Sequence, residues 1–147
     1  MTVLIRPAAA SDHPRLVEVW RSAVEATHDF LTSAEVDLYE QQLREYLPQM
    51  PVLWVAVDDD TAIGFLGSGD GVIEMLFVDP TRHGRGIGRA LVARVAGGAA
   101  PLRVDVNEEN AGAQRFYAAL GFIEVGRSAL DGEGQPHPIL HLERPLG

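Results

Sequence analysis

Ile73-Glu-Met-Leu-Phe-Val-Asp-Pro-Thr-Arg-His-Gly-Arg-Gly-Ile-Gly-Arg-Ala-Leu-Val-Ala-Arg-Val95 is the stretch around which this 147-residue chain is organised. Residues 72–78 are a short apolar run with a single carboxylate, the pattern of a largely buried strand. Pro80 stops the run, a turn with glycine at every second position follows, and Ile87, Leu91 and Val95 then recur at helical spacing. Gly84, Gly86 and Gly88 carry no Cβ, so the main chain there can approach a ligand closely and take φ values other residues avoid. They also stand where a helix begins, so N–H groups without internal partners and the positive end of the helix dipole meet at one point. Between Arg82 and Arg94 there are four Arg and one His and no carboxylate. A phosphate-bearing ligand suits such a turn.

Glycine-rich turns between strand and helix also arise simply from tight packing, and that reading stands beside the phosphate one. A P-loop requires Gly-Lys-Ser/Thr, and the chain contains no lysine. A dinucleotide fingerprint requires Gly or Ala where Arg89 stands, with a long run of strand–helix units after it. Asp105 follows at a suitable distance for that fingerprint, but only 58 residues remain beyond Arg89.

Upstream, residues 52–57 and 62–66 are apolar runs separated by Asp58-Asp59-Asp60, and Gly67-Ser68-Gly69-Asp70-Gly71 separates the second run from 72–78. That spacing predicts a three-strand meander. Residues 2–6 read as a strand closed by Pro7. Ser11, Asp12 and Pro14 then open a helix with Leu16, Val19, Trp20, Ala23 and Val24 on one face. Ala26-Thr27-His28-Asp29-Phe30-Leu31 has no period and reads as a connector. Ser33 is expected to cap a second helix, with Glu35 and Asp37 in its first turn and Val36, Tyr39, Leu43, Tyr46 and Leu47 on its buried face. Pro48 and Pro51 end that helix.

Downstream, Gly97-Gly98 ends the glycine-turn helix and residues 102–106 form a strand. Asn110 caps a helix carrying Ala113, Phe116, Tyr117 and Leu120, and Gly121 closes it. Residues 122–127 and 138–142 make two last strands around Asp131-Gly132. The order β-α-α-β-β-β-α-β-α-β-β excludes a purely alternating doubly wound sheet and predicts an α+β protein on a mixed sheet. The crossover from 72–78 to 102–106 is expected to be right-handed.

One domain is expected from this length, and apolar (46%) and charged (22%) fractions are those of a globular protein. Without cysteine there is no disulfide framework, thiolate nucleophile or cysteine metal site. The N-terminus has no basic segment followed by a long apolar run, and no window approaches twenty apolar residues, so the expected location is cytoplasmic, with no membrane partner. A net charge of −9 argues against nucleic acid as a partner. The charge is uneven: residues 1–80 carry a net −10 and residues 81–147 a net +1. Such a division suits one cationic and one anionic ligand, or only reflects acids that solvate helix faces.

The order of elements, and two motifs within it, resemble the GNAT superfamily of acyl-CoA-dependent N-acetyltransferases. The first motif is Leu76-Phe77-Val78-Asp79-Pro80 followed by Gly84-Arg85-Gly86-Ile87-Gly88-Arg89-Ala90-Leu91. The second is Asn107-Glu108-Glu109-Asn110 leading to Arg115-Phe116-Tyr117-Ala118-Ala119-Leu120-Gly121-Phe122. The resemblance covers essentially the whole chain and implies a single acetyltransferase domain over 1–147. It implies helices on both faces of a mixed, mostly antiparallel sheet. The 26–31 connector is similar to that of a small bacterial subgroup of single-domain members. Acetyl-CoA is the implied co-substrate, with no metal; the acceptor is a small-molecule amine or a peptide amine, and homodimers are common in such families.

Carried onto this chain, the resemblance makes the N–H groups of Gly84, Arg85, Gly86, Ile87, Gly88 and Arg89 the pyrophosphate cradle. Leu76, Phe77 and Val78 would pair by backbone with the pantetheine arm, and one of their N–H groups would polarise the thioester carbonyl. Asn110 matches a position that contacts the cofactor arm, beside its plain reading as a helix cap. The resemblance departs at His83, where the family usually has Arg or Gln, so an imidazole there would add a pH dependence to binding.

Acyl transfer to an amine needs a neutral amine, a held oxyanion and a proton for the departing thiolate. Tyr117 is the candidate acid, because a phenol keeps its proton at neutral pH; its alternative is a core aromatic beside Phe116 and Leu120. Glu74, a carboxylate in an apolar strand, is the candidate base, unless it merely faces solvent. His28 is the alternative base, with Asp29 a weaker neighbour and Asp105 a residue that could orient water. His137 and His141 share a strand face without a completed ligand set, so no metal is expected. Two other functions remain open: a non-catalytic acyl-CoA-binding module and a nicotinamide-nucleotide binder.

Overall fold

The computed structural model describes residues 3–27, 31–96, 101–132 and 134–145. Seven strands, β1 (Val3–Pro7), β2 (Val52–Asp58), β3 (Thr61–Gly69), β4 (Val72–Val78), β5 (Leu102–Asn107), β6 (Ile123–Ser128) and β7 (Ile139–Arg144), form one sheet. Its spatial order is β1-β2-β3-β4-β5-β7-β6. Every neighbouring pair is antiparallel except β4 and β5. The helices are α1 (His13–Thr27), α2 (Ser33–Tyr46), α3 (Ile87–Val95) and α4 (Ala111–Ala119). The sequence of elements and the mixed sheet are those expected. Among the described residues no helix is long and apolar enough to cross a membrane.

Two cores hold the layers together, one on each face. Leu16, Trp20 and Val24 of α1 and Val36 and Leu43 of α2 pack on Val55, Val57 and Phe65. On the other face Ile87, Leu91 and Val92 of α3 and Tyr117 of α4 pack on Ile63, Leu66, Val104 and Leu140. Strand β3 is buried from Ala62 through Ser68 because helices cover both of its faces.

Among the described residues the sheet register shifts at three places, one of them in β6 between Glu124 and Gly126. The β2–β3 register passes from Ala56↔Gly64 to Val57↔Ala62, leaving Ile63 as the extra residue. The β3–β4 register passes from Gly67↔Met75 to Ser68↔Ile73, leaving Glu74 extra. A bulge interrupts the two-residue alternation of side chains. Ile73 and Leu76 therefore reach the same core although three positions apart, while Met75 and Phe77 turn to the opposite one.

Several boundaries differ from expectation, each for a local reason. Helix α1 continues through Ala26 and Thr27, whose hydroxyl bonds the Ala23 carbonyl at 2.7 Å; His28, Asp29 and Phe30 lie outside the described residues. Thr32, not Ser33, caps α2, accepting from the Glu35 N–H at 3.1 Å while the Glu35 carboxylate accepts from the Thr32 N–H at 3.0 Å. This reciprocal capping box outcompetes a lone serine one residue later. Tyr46 is 48% exposed rather than part of the buried face of α2.

Gly67 and Ser68 belong to β3, and the turn contracts to Asp70 and Gly71, both at positive φ. Gly67 serves packing, since a Cβ there would sit 3.1 Å from side-chain atoms of both Met50 and Met75. Pro7 ends β1 inside its pairing with Trp54, which an edge strand tolerates. Gly97 and Gly98 lie outside the described residues.

Candidate active site

Strands β4 and β5 pair only at Val72↔Arg103 and Ile73↔Val104. Past that point a cleft of about 630 Å³ lies between them, walled by β4 from Glu74 to Val78 and by β5 from Val104 to Asn107. Beyond Ile73 the edge of β4 that faces β5 has backbone groups the sheet does not use. The cleft continues over the start of α3 on one side and α4 on the other.

Local chemistry shapes the turn that enters α3. The Asp79 N–H bonds the carbonyl of the bulged Ile63 at 2.8 Å, and its carboxylate accepts from the Thr81 N–H at 3.0 Å and the Thr81 hydroxyl at 2.8 Å. Burial alone would raise the Asp79 carboxyl, but Thr81, with Arg15 and Arg82 nearby, outweighs it and holds the group below its ordinary value. Gly84 and Gly86 then take φ of +81° and +77°, and a Cβ at either would point into open space. Gly88 is different: a Cβ there would come within 3.1 Å of the Phe116 ring, so glycine lets α3 approach α4. The first intrahelical bond runs from the Ala90 N–H to the Gly86 carbonyl at 3.0 Å, so Ile87, Gly88 and Arg89 present N–H groups ahead of the helical ladder.

N–H groups gathered at a helix start can hold an anion. Only part of the basic run faces the cleft, however. Arg89 borders the cleft, whereas Arg85 is exposed away from its wall. Arg82 borders the cleft but is ion-paired with Asp58, and Arg94 lies over the Trp54 ring and donates to the Ile5 carbonyl at 3.1 Å. His83 borders the cleft and is exposed.

Tyr117 lies across the cleft on α4, where it belongs to the core and to the cleft wall at once. Its ring is 6% exposed and sits edge-on to Phe116 and Phe122, with centroids 5.0 and 5.2 Å away. It nevertheless lines the cleft, and burial pushes the phenol well above its ordinary value, so it stays protonated. Glu74 lines the same cleft from β4 and is exposed. Desolvation, and then the charge of Asp105, raise its carboxyl. Asn110 borders the cleft, and its Oδ1 accepts from the Ala113 N–H at 3.0 Å as the cap of α4.

The cleft thus collects Glu74, Leu76, Phe77, Val78, Gly84, Gly86, Ile87, Gly88, Arg89, Asn110 and Tyr117 of the expected site. Arg85 does not line it, and His28 lies outside the described residues. Sequence reasoning missed Ala23 and Thr27, which bring the end of α1 to the cleft, and Met75 and Val104. Helical period through Thr27 was the available signal for the first pair.

A clamp ties the segment before β7 to α2. His137 is buried; its Nδ1 lies 3.0 Å from Glu109 Oε1 and its Nε2 lies 2.6 Å from Glu35 Oε2. Tyr39 donates to Asp131 at 2.7 Å nearby. Glu109 and then Glu35 raise the imidazole above its ordinary 6.5, against the opposing effect of burial. The Thr32 N–H, then His137, holds Glu35 below its ordinary 4.5.

A raised imidazole stabilises the fold fully below its ordinary value and loses that contribution as pH rises through the shifted one. A lowered carboxyl contributes above its ordinary value and loses it as pH falls through the shifted one. The clamp is therefore strongest between about pH 4.5 and 6.5. His137→Gln is expected to cost about 1–3 kcal/mol in that window and less above neutrality, read as thermal or urea unfolding against pH. A stability difference that does not change with pH would remove the clamp.

Residues 50–124 match the acetyltransferase (GNAT) domain family. Peptidyl-lysine N-acetyltransferase YjaB of Salmonella typhimurium is 40% identical over 99% of this chain and 100% of its own length. The solution structure of apo-form YjaB from Escherichia coli superposes with a TM-score of 0.89, at 38% identity, covering 98% of both chains. The PaiA N-acetyltransferase of Thermoplasma acidophilum, solved in complex with coenzyme A, shares the fold at TM-score 0.79 and 19% identity, over 99% of this chain and 100% of that one.

Proposed function

This chain belongs to the GNAT acetyltransferase family, and on that premise we propose that it transfers the acetyl group of acetyl-CoA to the side-chain amine of a peptidyl lysine. The observation that carries this reading is one cleft holding the glycine turn, the unpaired edge of β4, Glu74 and Tyr117 together. The named activity of the 40%-identical relative supports the acceptor class.

The N–H groups at the start of α3 hold the diphosphate, and the cleft-facing backbone of Leu76, Phe77 and Val78 holds the pantetheine arm as an added strand. Bound acetyl-CoA supplies an acyl group already activated as a thioester. A main-chain N–H of β4 donates to the carbonyl oxygen as negative charge develops there. Glu74 takes the proton of the attacking amine, and the Tyr117 hydroxyl donates to the departing sulfur. Asn110, which caps α4 through its Oδ1, stands on the cleft wall beside the proposed place of the arm.

Transfer from acetyl-CoA to a lysine peptide, read as thiol release together with peptide mass, tests the reading. The enzyme itself has no lysine, so every acetyl-lysine found belongs to the acceptor. Acetyl-CoA binding without thiol release over a panel of amines would favour the non-catalytic module.

Glu74→Gln is expected to move the pH–rate profile to the alkaline side. Desolvation and Asp105 raise Glu74 above its ordinary value, and a glutamine amide takes no proton, so the substitution leaves the rate tracking only the neutral fraction of the acceptor. An unaltered profile would pass the base role to His28 or to water.

A further inference from the structure

On the open face of the sheet beside the cleft, three side chains make a continuous hydrogen-bonded chain. Asp105 of β5 stands directly opposite His141 of β7 in the register, and its Oδ1 lies 2.7 Å from His141 Nδ1. The other ring nitrogen, Nε2, lies 2.7 Å from Ser128 Oγ at the end of β6. The ring reaches over β6 because Gly126 stands opposite it there; a Cβ at 126 would lie 3.3 Å from His141 Cδ2. A carboxylate only accepts, so the Nδ1–H donates to Asp105, and Nε2 and the Ser128 hydroxyl share the second hydrogen bond.

Serine, imidazole and carboxylate in this order also describe an activated nucleophile. Placement argues against that use here. Asp105 lines the cleft next to Glu74, whereas Ser128 does not line it and sits two strands away with β7 between. The end of the chain that meets substrate is the carboxylate.

We propose that Asp105 binds the acceptor ammonium beside Glu74, and that His141, backed by Ser128, is the positioning residue that holds the Asp105 carboxylate in place. This rests on the acetyltransferase reading and adds how the cleft selects a cationic amine. The ammonium enters hydrogen-bonded to both carboxylates. It gives one proton to Glu74 and becomes the neutral nucleophile, while the Asp105 carboxylate accepts from a remaining N–H and keeps it aligned. Asp105 is 60% exposed on its side chain, so it is open to a ligand and its replacement does not disturb a core.

Steady-state kinetics with a lysine peptide and acetyl-CoA test the assignment. Asp105→Asn is expected to raise the peptide KM about 10- to 100-fold, the range for one lost charged hydrogen bond, with the KM for acetyl-CoA unchanged. His141→Ala is expected to raise the peptide KM about 3- to 10-fold, again without affecting acetyl-CoA. His141→Asn, whose amide can still donate where Nδ1 did, should restore it. An unchanged peptide KM in Asp105→Asn, or equal defects in His141→Ala and His141→Asn, would overturn the proposal. So would acetyl-Ser128 detected by mass spectrometry after incubation with acetyl-CoA alone, which would make Ser128 a nucleophile.

If the wild-type enzyme acetylates no amine, the acetyltransferase reading itself fails, and long-range ¹H–¹⁵N spectra of the His141 ring decide the proposal separately. Titrating lysine amide into the full chain should then move the Nδ1 signal through Asp105. A ring signal that does not respond refutes the assignment.

Discussion

Tyr117→Phe is expected to lower turnover about 10²–10³-fold while leaving acetyl-CoA affinity almost unchanged. The substitution removes one oxygen and keeps the ring, so the edge-on contacts with Phe116 and Phe122 survive. The hydroxyl makes no hydrogen bond to a described residue, and its removal orphans no buried partner. Stability should therefore stay level or rise slightly. A buried phenol raised above its ordinary value keeps its proton at every working pH, as a donor to a departing thiolate requires. Calorimetry with acetyl-CoA and single-turnover thiol release separate binding from chemistry. Full turnover by the variant on any accepted amine would take the donor role away from Tyr117 and leave it a core aromatic.

Gly86→Ala should weaken acetyl-CoA binding by about 30-fold or more. An L-residue at the left-handed φ of +77° costs about 1–2 kcal/mol, and the new methyl points into the open space where the diphosphate is proposed to lie. Gly121 provides the control, because it has φ +93° at the end of α4 and nothing within 4 Å of an added Cβ. Gly121→Ala should show the same kind of backbone cost in thermal stability with no change in acetyl-CoA affinity. Equal behaviour of the two variants, with loss of stability but intact binding, would show that the diphosphate is held somewhere other than the start of α3.

Much of the candidate site could be read along the chain because its parts are contiguous. Residues 73–95 include strand, turn and helix, and glycine at positive φ leaves a direct signature in the alphabet. What could not be read there depends on partners distant in sequence. Arg82 and Arg94 look like phosphate ligands within the run 82–94, but Asp58 and Trp54, brought in by β2, engage them. Ser33 looks like a cap until Glu35 is seen to close its box with Thr32 instead. Gly67 looks like a turn residue because the sequence does not show Met50 and Met75 crowding it from two sides.

Local pattern was enough to determine the order of elements, the mixed sheet and the place of the glycine turn, since each depends on residues within a few positions of one another. Tertiary structure alone decided how far β4 and β5 stay paired, where the bulges fall, and hence which way Glu74 and Leu76 face. It alone aligned Asp105, His141 and Ser128 across three strands. The physical reason is register: a strand's own sequence sets which side chains alternate, but only its pairing with neighbouring strands sets which of them meet.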